Sequence, residues 1–215
     1  MLLQGSPEEA GQREVLQTLL ILIARVKFGL LRLLAFAETT PGTVLDRVRD
    51  AQLVLTLQPC PCGFYGDPLR ECVCTVHWIA RHTLRMRALL ERVAIAVEIP
   101  RPDYERQMTV RAQESSATVA ARVREGWKRQ QGRFAGLSLT RNAEMDHAQI
   151  IHWCSLDASA QKLSRAACQQ LRFSVRTMDA MLTVARTVAD LAGSEQIQAN
   201  HLAEAIQYQP RPDQF

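Results

Sequence analysis

The sequence predicts a predominantly helical protein, with a short α/β segment in residues 1–100 and an all-helical half in residues 101–215. Three observations carry this expectation. Two short apolar runs, AQLVLTL at residues 51–57 and VAIAVEI at residues 93–99, have the length and composition of buried strands, with Pro59 shortly after the first and Pro100 directly after the second. From Ser115 onward, apolar residues recur at helical spacing and serines stand where helices would be capped. Between the two runs lies QPCPCGFYGDPLRECVCT, residues 58–75, a turn-rich loop delivered at the C-terminal end of the first expected strand. Open α/β sheets place their ligand crevices at that end.

The totals bound the rest. With 47% hydrophobic and 22% charged residues among 215, the chain has the make-up of an ordinary soluble protein able to bury a core. The N-terminal ten residues carry Glu8 and Glu9 and no basic secretory region, which predicts a reducing, cytoplasmic location. Residues 15–36 are strongly apolar but are interrupted by Arg25, Lys27 and Arg32, short of the roughly 20 uncharged residues that span a bilayer. Burial rather than membrane insertion follows. The net charge is +4, and residues 101–141 hold nine Arg and Lys against four Asp and Glu. That stretch is either a solvated face or a surface for phosphates, including those of DNA.

Taken in order, residues 8–24 show Val15, Leu16, Leu19, Leu20 and Ile23 at helical spacing, so a first helix is expected. Residues 25–36 suit either a helix or a strand, and Thr39-Thr40-Pro41-Gly42 is a turn. After the first strand and the cysteine loop, residues 76–90 predict a helix with Ile79, Leu84 and Leu90 inward and Arg81, Arg85 and Arg87 outward. The second strand is expected at 93–99, and Pro100 and Pro102 mark the domain boundary. Ser115 and Ser116 then cap an amphipathic helix with Val119, Val123 and Trp127 on its apolar face, weakened by Gly126. Further helices are expected at 146–153, 156–171, 174–192 and 199–208, with Ser155 and Ser174 as N-caps and Gly193 as a C-terminal stop. The tail from Gln209 to Pro212 should fray.

The chemistry of this sequence is concentrated in the loop. Cys60, Cys62, Cys72 and Cys74 form two C-x-C pairs, and the turn Gly63-Phe64-Tyr65-Gly66-Asp67-Pro68 can fold one pair back over the other. Four thiolates at one point suit tetrahedral zinc, although the one-residue spacing is tighter than the usual two to four; a reduced, metal-free thiol loop is the other reading. Cys154 and Cys168 stand alone, as buried structural thiols do. The histidines form no H-x-x-x-H pair, and His147 and His152 are expected on helix surfaces. No G-x-x-x-x-G-K-[ST] loop is present to wrap the phosphates of a nucleotide.

Several blocks, in order, resemble the second half of the magnesium chelatase-like AAA+ ATPases, in the competence-protein branch (ComM/YifB). They are QPCPCGFYGDP with CVCT, IARHTLRM, LLERVAIAVEIPR, VREGWKRQQGRF, RNAEM, WCSLDASAQKL and FSVRTMDAMLTVARTVADLAGSEQIQANHLAEAIQY. The resemblance implies an α/β remnant of the AAA+ core followed by a helical lid, a hexameric ring with P-loop-containing subunits, ATP and magnesium as cofactors, and work on DNA during branch migration. It assigns Arg92 in LLERV to the arginine finger, Arg176 in FSVRTMD to sensor 2, and Gln58 to the place of the sensor-1 asparagine. A permanently charged, planar guanidinium suits both arginine roles.

The departures are specific. Gln58 is one methylene longer than asparagine, Glu91-Arg92-Val93-Ala94 replaces Asp-Arg-Ile-Asp, and Arg87-Ala88 stands where the family has Ser-Gly-Pro. Gln4 and Gly5 occupy the expected Walker B acidic positions, which removes carboxylate support for magnesium. The chain is therefore expected to be inactive alone: part of a split ATPase that acts in trans, a degenerate remnant, or a non-catalytic module that binds DNA or protein through a zinc knuckle and a basic face.

Overall fold

A parallel strand pair and six α-helices make up the regular structure among the described residues, which are 30–34, 52–56, 58–90, 93–97, 99, 108 and 114–210 of a computed structural model. The protein is predominantly helical, as its composition pattern predicts. It divides into two compact units, Met1–Arg92 and Val93–Gln214. The helix expected at 8–24 and the turn at 39–42 lie outside the described residues.

In the first unit, β1 (Leu30–Leu34) runs parallel to β2 (Gln52–Thr56), with Leu30 opposite Gln52 and Leu34 opposite Thr56. The ambiguous 25–36 stretch thus supplies a strand, and the AQLVLTL run forms the strand predicted for it. A parallel pair needs a connection of a dozen residues or more, and residues 35–51 provide that length. The cysteine loop follows β2 and ends at Thr75, whose hydroxyl accepts the Trp78 N–H at 3.4 Å and caps α1 (Val76–Leu90).

The inward stripe of α1 is His82, Met86 and Leu90, all buried, with Ile79 half-buried one turn earlier. Leu84, expected inward, is exposed: it falls between the members of an i, i+3/i+4 series that begins at Ile79, so it points to the other side. Arg81, Arg85 and Arg87 are exposed as predicted.

The second unit begins with a correction. Residues 93–97 and 99 form no strand, and Ile95, Val97 and Ile99 are exposed. Apolar composition suggests a strand, but a strand requires a neighbour. Here the backbone is held at the end of the last helix instead: the Ala96 N–H donates to the Tyr208 carbonyl at 2.8 Å, and Gln209 Nε2 donates to the Ala94 carbonyl at 3.2 Å. Gln209 is consequently buried rather than frayed, whereas Arg211 and Pro212 lie outside the described residues.

Five helices complete this unit: α2 (Ser116–Arg133), α3 (His147–Trp153), α4 (Ala158–Leu171), α5 (Val175–Ala192) and α6 (Ala199–Gln207). Side-chain caps start most of them. Ser115, Asp146, Asp157 and Ser174 each accept a backbone N–H from three residues on. Ser155 is not a cap; its carbonyl accepts the Ile197 N–H at 3.0 Å, while Asp157 takes the capping role two residues later. Gly193 ends α5 at φ +78°, a left-handed conformation that glycine adopts without a Cβ penalty.

Helix α5 packs on α2, α3 and α6, and α6 also packs on α4. Their common core includes Phe134, Ile150, Met181, Ala185, Ala189, Ile197, Leu202 and Ala205. The alanines let helix axes approach closely. Gly126 serves the same end on α2: a Cβ there would lie 3.0 Å from Leu191 Cδ2 on α5. That approach overturns the expected orientation of α2, because Gly126 and Gln130 face inward while Val119, Val123 and Trp127 lie on the exposed side.

Candidate functional site

The first unit brings four cysteines together. Gly63, at φ +82°, turns the chain immediately after Cys62, and its N–H donates back to the Cys60 carbonyl at 2.9 Å. This turn aims the following amides at sulfur, and the Tyr65 N–H donates to Cys60 Sγ at 3.3 Å. Gly66 makes a second left-handed turn at φ +78°, and Asp67 Oδ1 accepts the N–H groups of Leu69 and Arg70 at 2.8 and 3.2 Å. Arg70 lies 3.9 Å from the centre of the Phe64 ring, joining the two limbs of the loop by a cation–π contact.

The sulfurs of Cys60 and Cys62 are 3.3 Å apart, those of Cys60 and Cys72 3.7 Å, and those of Cys62 and Cys72 3.6 Å. With Cys74 included, all four lie within 4.8 Å of one another. All are free thiols; Cys60 is buried and the other three half-buried. A backbone hydrogen bond from Phe64 is the main influence lowering the Cys62 thiol to about 6, whereas burial, reinforced by the neighbouring thiols, pushes Cys74 up to about 12.

Two residues hold this loop that its cysteine spacing does not reveal. His82, buried on α1, donates from Nε2 to the Gln58 carbonyl at 2.8 Å and ties the start of the loop to the helix that follows it. Gln58 itself is exposed, with its side-chain amide against the Gly63 turn. Nothing in the local sequence marks His82 for this role, since its partner is a backbone carbonyl 24 residues earlier.

Arg176 belongs to the second unit, where it is exposed in the first turn of α5. The carboxylate one turn further along, Asp179, is engaged by His147 Nδ1 at 2.9 Å. Arg92 lies outside the described residues. Cys154 is buried as expected, and burial raises its thiol to about 12; Cys168 is half-buried. His147 and His152 are on helix surfaces, His152 edge-on to Trp153 with ring centres 4.6 Å apart.

The basic stretch is only partly an outward-facing charge. Arg122 pairs with Glu114 at 2.9 Å and Lys128 with Glu125 at 2.7 Å. Arg133 turns inward to the carboxylate of buried Asp190, which also pairs with Arg186 at 3.1 Å and accepts from Asn142 Nδ2 at 2.9 Å. Arg186 extends to the carbonyls of Glu195 and Ser194, fixing the turn after α5, and its Nε is buried without a hydrogen-bond partner. Arg129 Nη1 donates to the Asp190 carbonyl at 2.8 Å. These arginines build the helical unit.

The donor set discriminates between the cofactors expected from sequence. Among the described residues, the cysteine cluster is the one group of His, Cys, Asp or Glu side chains able to converge on a metal, and it is a thiolate set. Magnesium requires oxygen donors, and no carboxylate group of that kind is assembled there. No helix among the described residues is long and apolar enough to cross a membrane.

Comparison with known proteins agrees with the order of the sequence blocks. The family profile described as magnesium chelatase, subunit ChlI, matches residues 45–107, and that described as magnesium chelatase, subunit ChlI C-terminal, matches residues 113–209. The chain belongs to the magnesium chelatase-like family. Within it, the chain groups with the YifB and ComM branch: it is 35% identical over 160 residues to YifB of Escherichia coli, 32% over 160 residues to YifB of Salmonella typhimurium, and 31% over 159 residues to the competence protein ComM of Haemophilus influenzae. In each case the match covers 73% of this chain and 30% of the relative. The chain thus spans about a third of the length of these relatives.

Proposed function

We propose that this chain acts as the C-terminal part of a magnesium chelatase-like AAA+ ATPase, contributing Arg92 and Arg176 in trans to ATP bound on P-loop-containing subunits of a ring that works on DNA. In this reading, residues 1–100 are a remnant of the α/β core and residues 101–215 are the lid. The observation that carries it is the pairing of two family matches in the family's order, with LLERV in one and FSVRTMD in the other. Support also comes from Arg176, an exposed guanidinium on the first turn of α5 beside the helix's positive end, a setting suited to phosphate oxygens. In this reading ATP and magnesium are held by the other subunit. Gln58 stands in the sensor-1 position, offering amide chemistry from a longer arm.

The division of labour is chemical. Arg92, as finger, would place positive charge on the phosphoryl group as negative charge develops there; Arg176 would orient the nucleotide against the lid. The competence name of the Haemophilus relative supports a role with DNA. A free-standing DNA- or protein-binding module is the weaker reading, since Arg122 and Lys128 are paired with acids and Arg133 is turned inward.

The test is hydrolysis of ATP by a P-loop-containing subunit of the same branch, mixed with this chain or its variants. Addition of the chain is expected to raise the rate, and Arg92→Ala to remove about 10³-fold or more of that stimulated rate. Arg176→Ala should weaken binding of a fluorescent ATP analogue in the same mixture. Equal stimulation by the wild-type and Arg92→Ala chains overturns the proposal.

A further inference from the structure

We infer that Cys60, Cys62, Cys72 and Cys74 bind one zinc ion in a closed tetrathiolate site whose role is structural. The argument is geometric. A tetrahedral site with metal–sulfur bonds of about 2.3 Å has sulfur–sulfur edges of about 3.8 Å. The Cys60–Cys62, Cys62–Cys72 and Cys60–Cys72 edges, 3.3, 3.6 and 3.7 Å, approach that value. The fourth sulfur lies within 4.8 Å of the others. None of these separations is a disulfide bond, and each cysteine is free.

The surroundings fit the same assignment. Thiolates bound to a metal retain negative charge and are stabilised by N–H donors, such as the Tyr65 amide on Cys60. The two left-handed glycine turns fold the loop so that donors separated by ten and twelve residues meet. On binding, the thiol protons leave to solvent and the ion takes four sulfur ligands, giving a site of net charge −2 with no open position for substrate. A full set of protein ligands is the mark of a structural rather than a catalytic zinc.

Its mechanical consequence is local. The loop connects β2 to α1, and the described contacts holding it are a few turn hydrogen bonds, one cation–π contact and the His82–Gln58 bond. One ion tied to four points would close this connection into a small rigid knuckle.

The test uses the full chain, produced in zinc-supplemented medium and purified under reducing conditions without chelator. Elemental analysis is expected to find one zinc per chain. Exchange with cobalt(II) should give the intense visible bands of a tetrahedral tetrathiolate. The double variant Cys60→Ser/Cys72→Ser should retain no zinc, while the control Cys154→Ser/Cys168→Ser retains one. Amide NMR and limited proteolysis of the first unit, which holds the four cysteines, separate ligand loss from failure of that unit to fold. If a folded variant defective in metal binding could not be obtained, metal-free wild-type chain titrated with cobalt would decide between the same outcomes. Absence of zinc and of a thiolate–cobalt spectrum in reduced wild-type chain overturns the inference, as does equal zinc content in the two double variants.

Discussion

Asp190 shows how much a single carboxylate can organise. It is fully buried and receives Arg133, Arg186 and Asn142, so the charge is compensated from three directions. Replacing it with alanine leaves the Arg186 guanidinium buried with neither its carboxylate partner nor a bond at Nε. We expect Asp190→Ala to cost about 3–5 kcal/mol, measured by denaturant unfolding followed through helical circular dichroism. Very little of this was legible in the sequence, where Asp190 and Arg133 are 57 residues apart and each resembles a solvated helix residue. The four cysteines were legible, because two close pairs separated by glycines and a proline restrict where the chain can go. His82 was not, since a backbone carbonyl offers no residue type to recognise.

At the scale of the element, caps and stops depend on the backbone of one turn and mostly stand where the sequence suggests, Ser155 excepted, where Asp157 caps two residues later. Ser115, Ser174 and Gly193 all act where the sequence placed them. Faces were less reliable. The Val119, Val123 and Trp127 series looked like a core stripe, yet the side of α2 that meets α5 is the one carrying Gly126, where closeness of approach outweighs apolar area. Likewise VAIAVEI has the composition of a strand but no neighbouring strand among the described residues. Gly193→Ala is expected to destabilise the helical unit by about 1–2 kcal/mol, because φ +78° is unfavourable for a residue with a Cβ. The added atom would also lie 3.1 Å from Arg129 Nη2, disturbing the arginine that holds the Asp190 carbonyl. A thermal melt of the variant beside the wild type measures both effects together.

For the molecule as a whole, helical content and the order of its helices followed from periodicity, whereas the division between Arg92 and Val93 depends on contacts that periodicity does not encode. The helical unit rests on a core in which small residues alternate with a few large ones. Leu202 is fully buried on α6, the helix that packs on both α4 and α5. Its truncation would leave a cavity in the core of this unit. Leu202→Ala is expected to cost about 2–5 kcal/mol by chemical denaturation, while Leu84→Ala, at an exposed position of α1, should change stability by less than about 0.5 kcal/mol.

The clasp between Ala94, Ala96, Tyr208 and Gln209 gives this unit a property of its own. Its first and last segments are fastened side by side, so the polypeptide leaves the bundle next to where it came in. A body built this way can be carried as a cassette: a host chain can include it with hardly any change in the path of its own backbone.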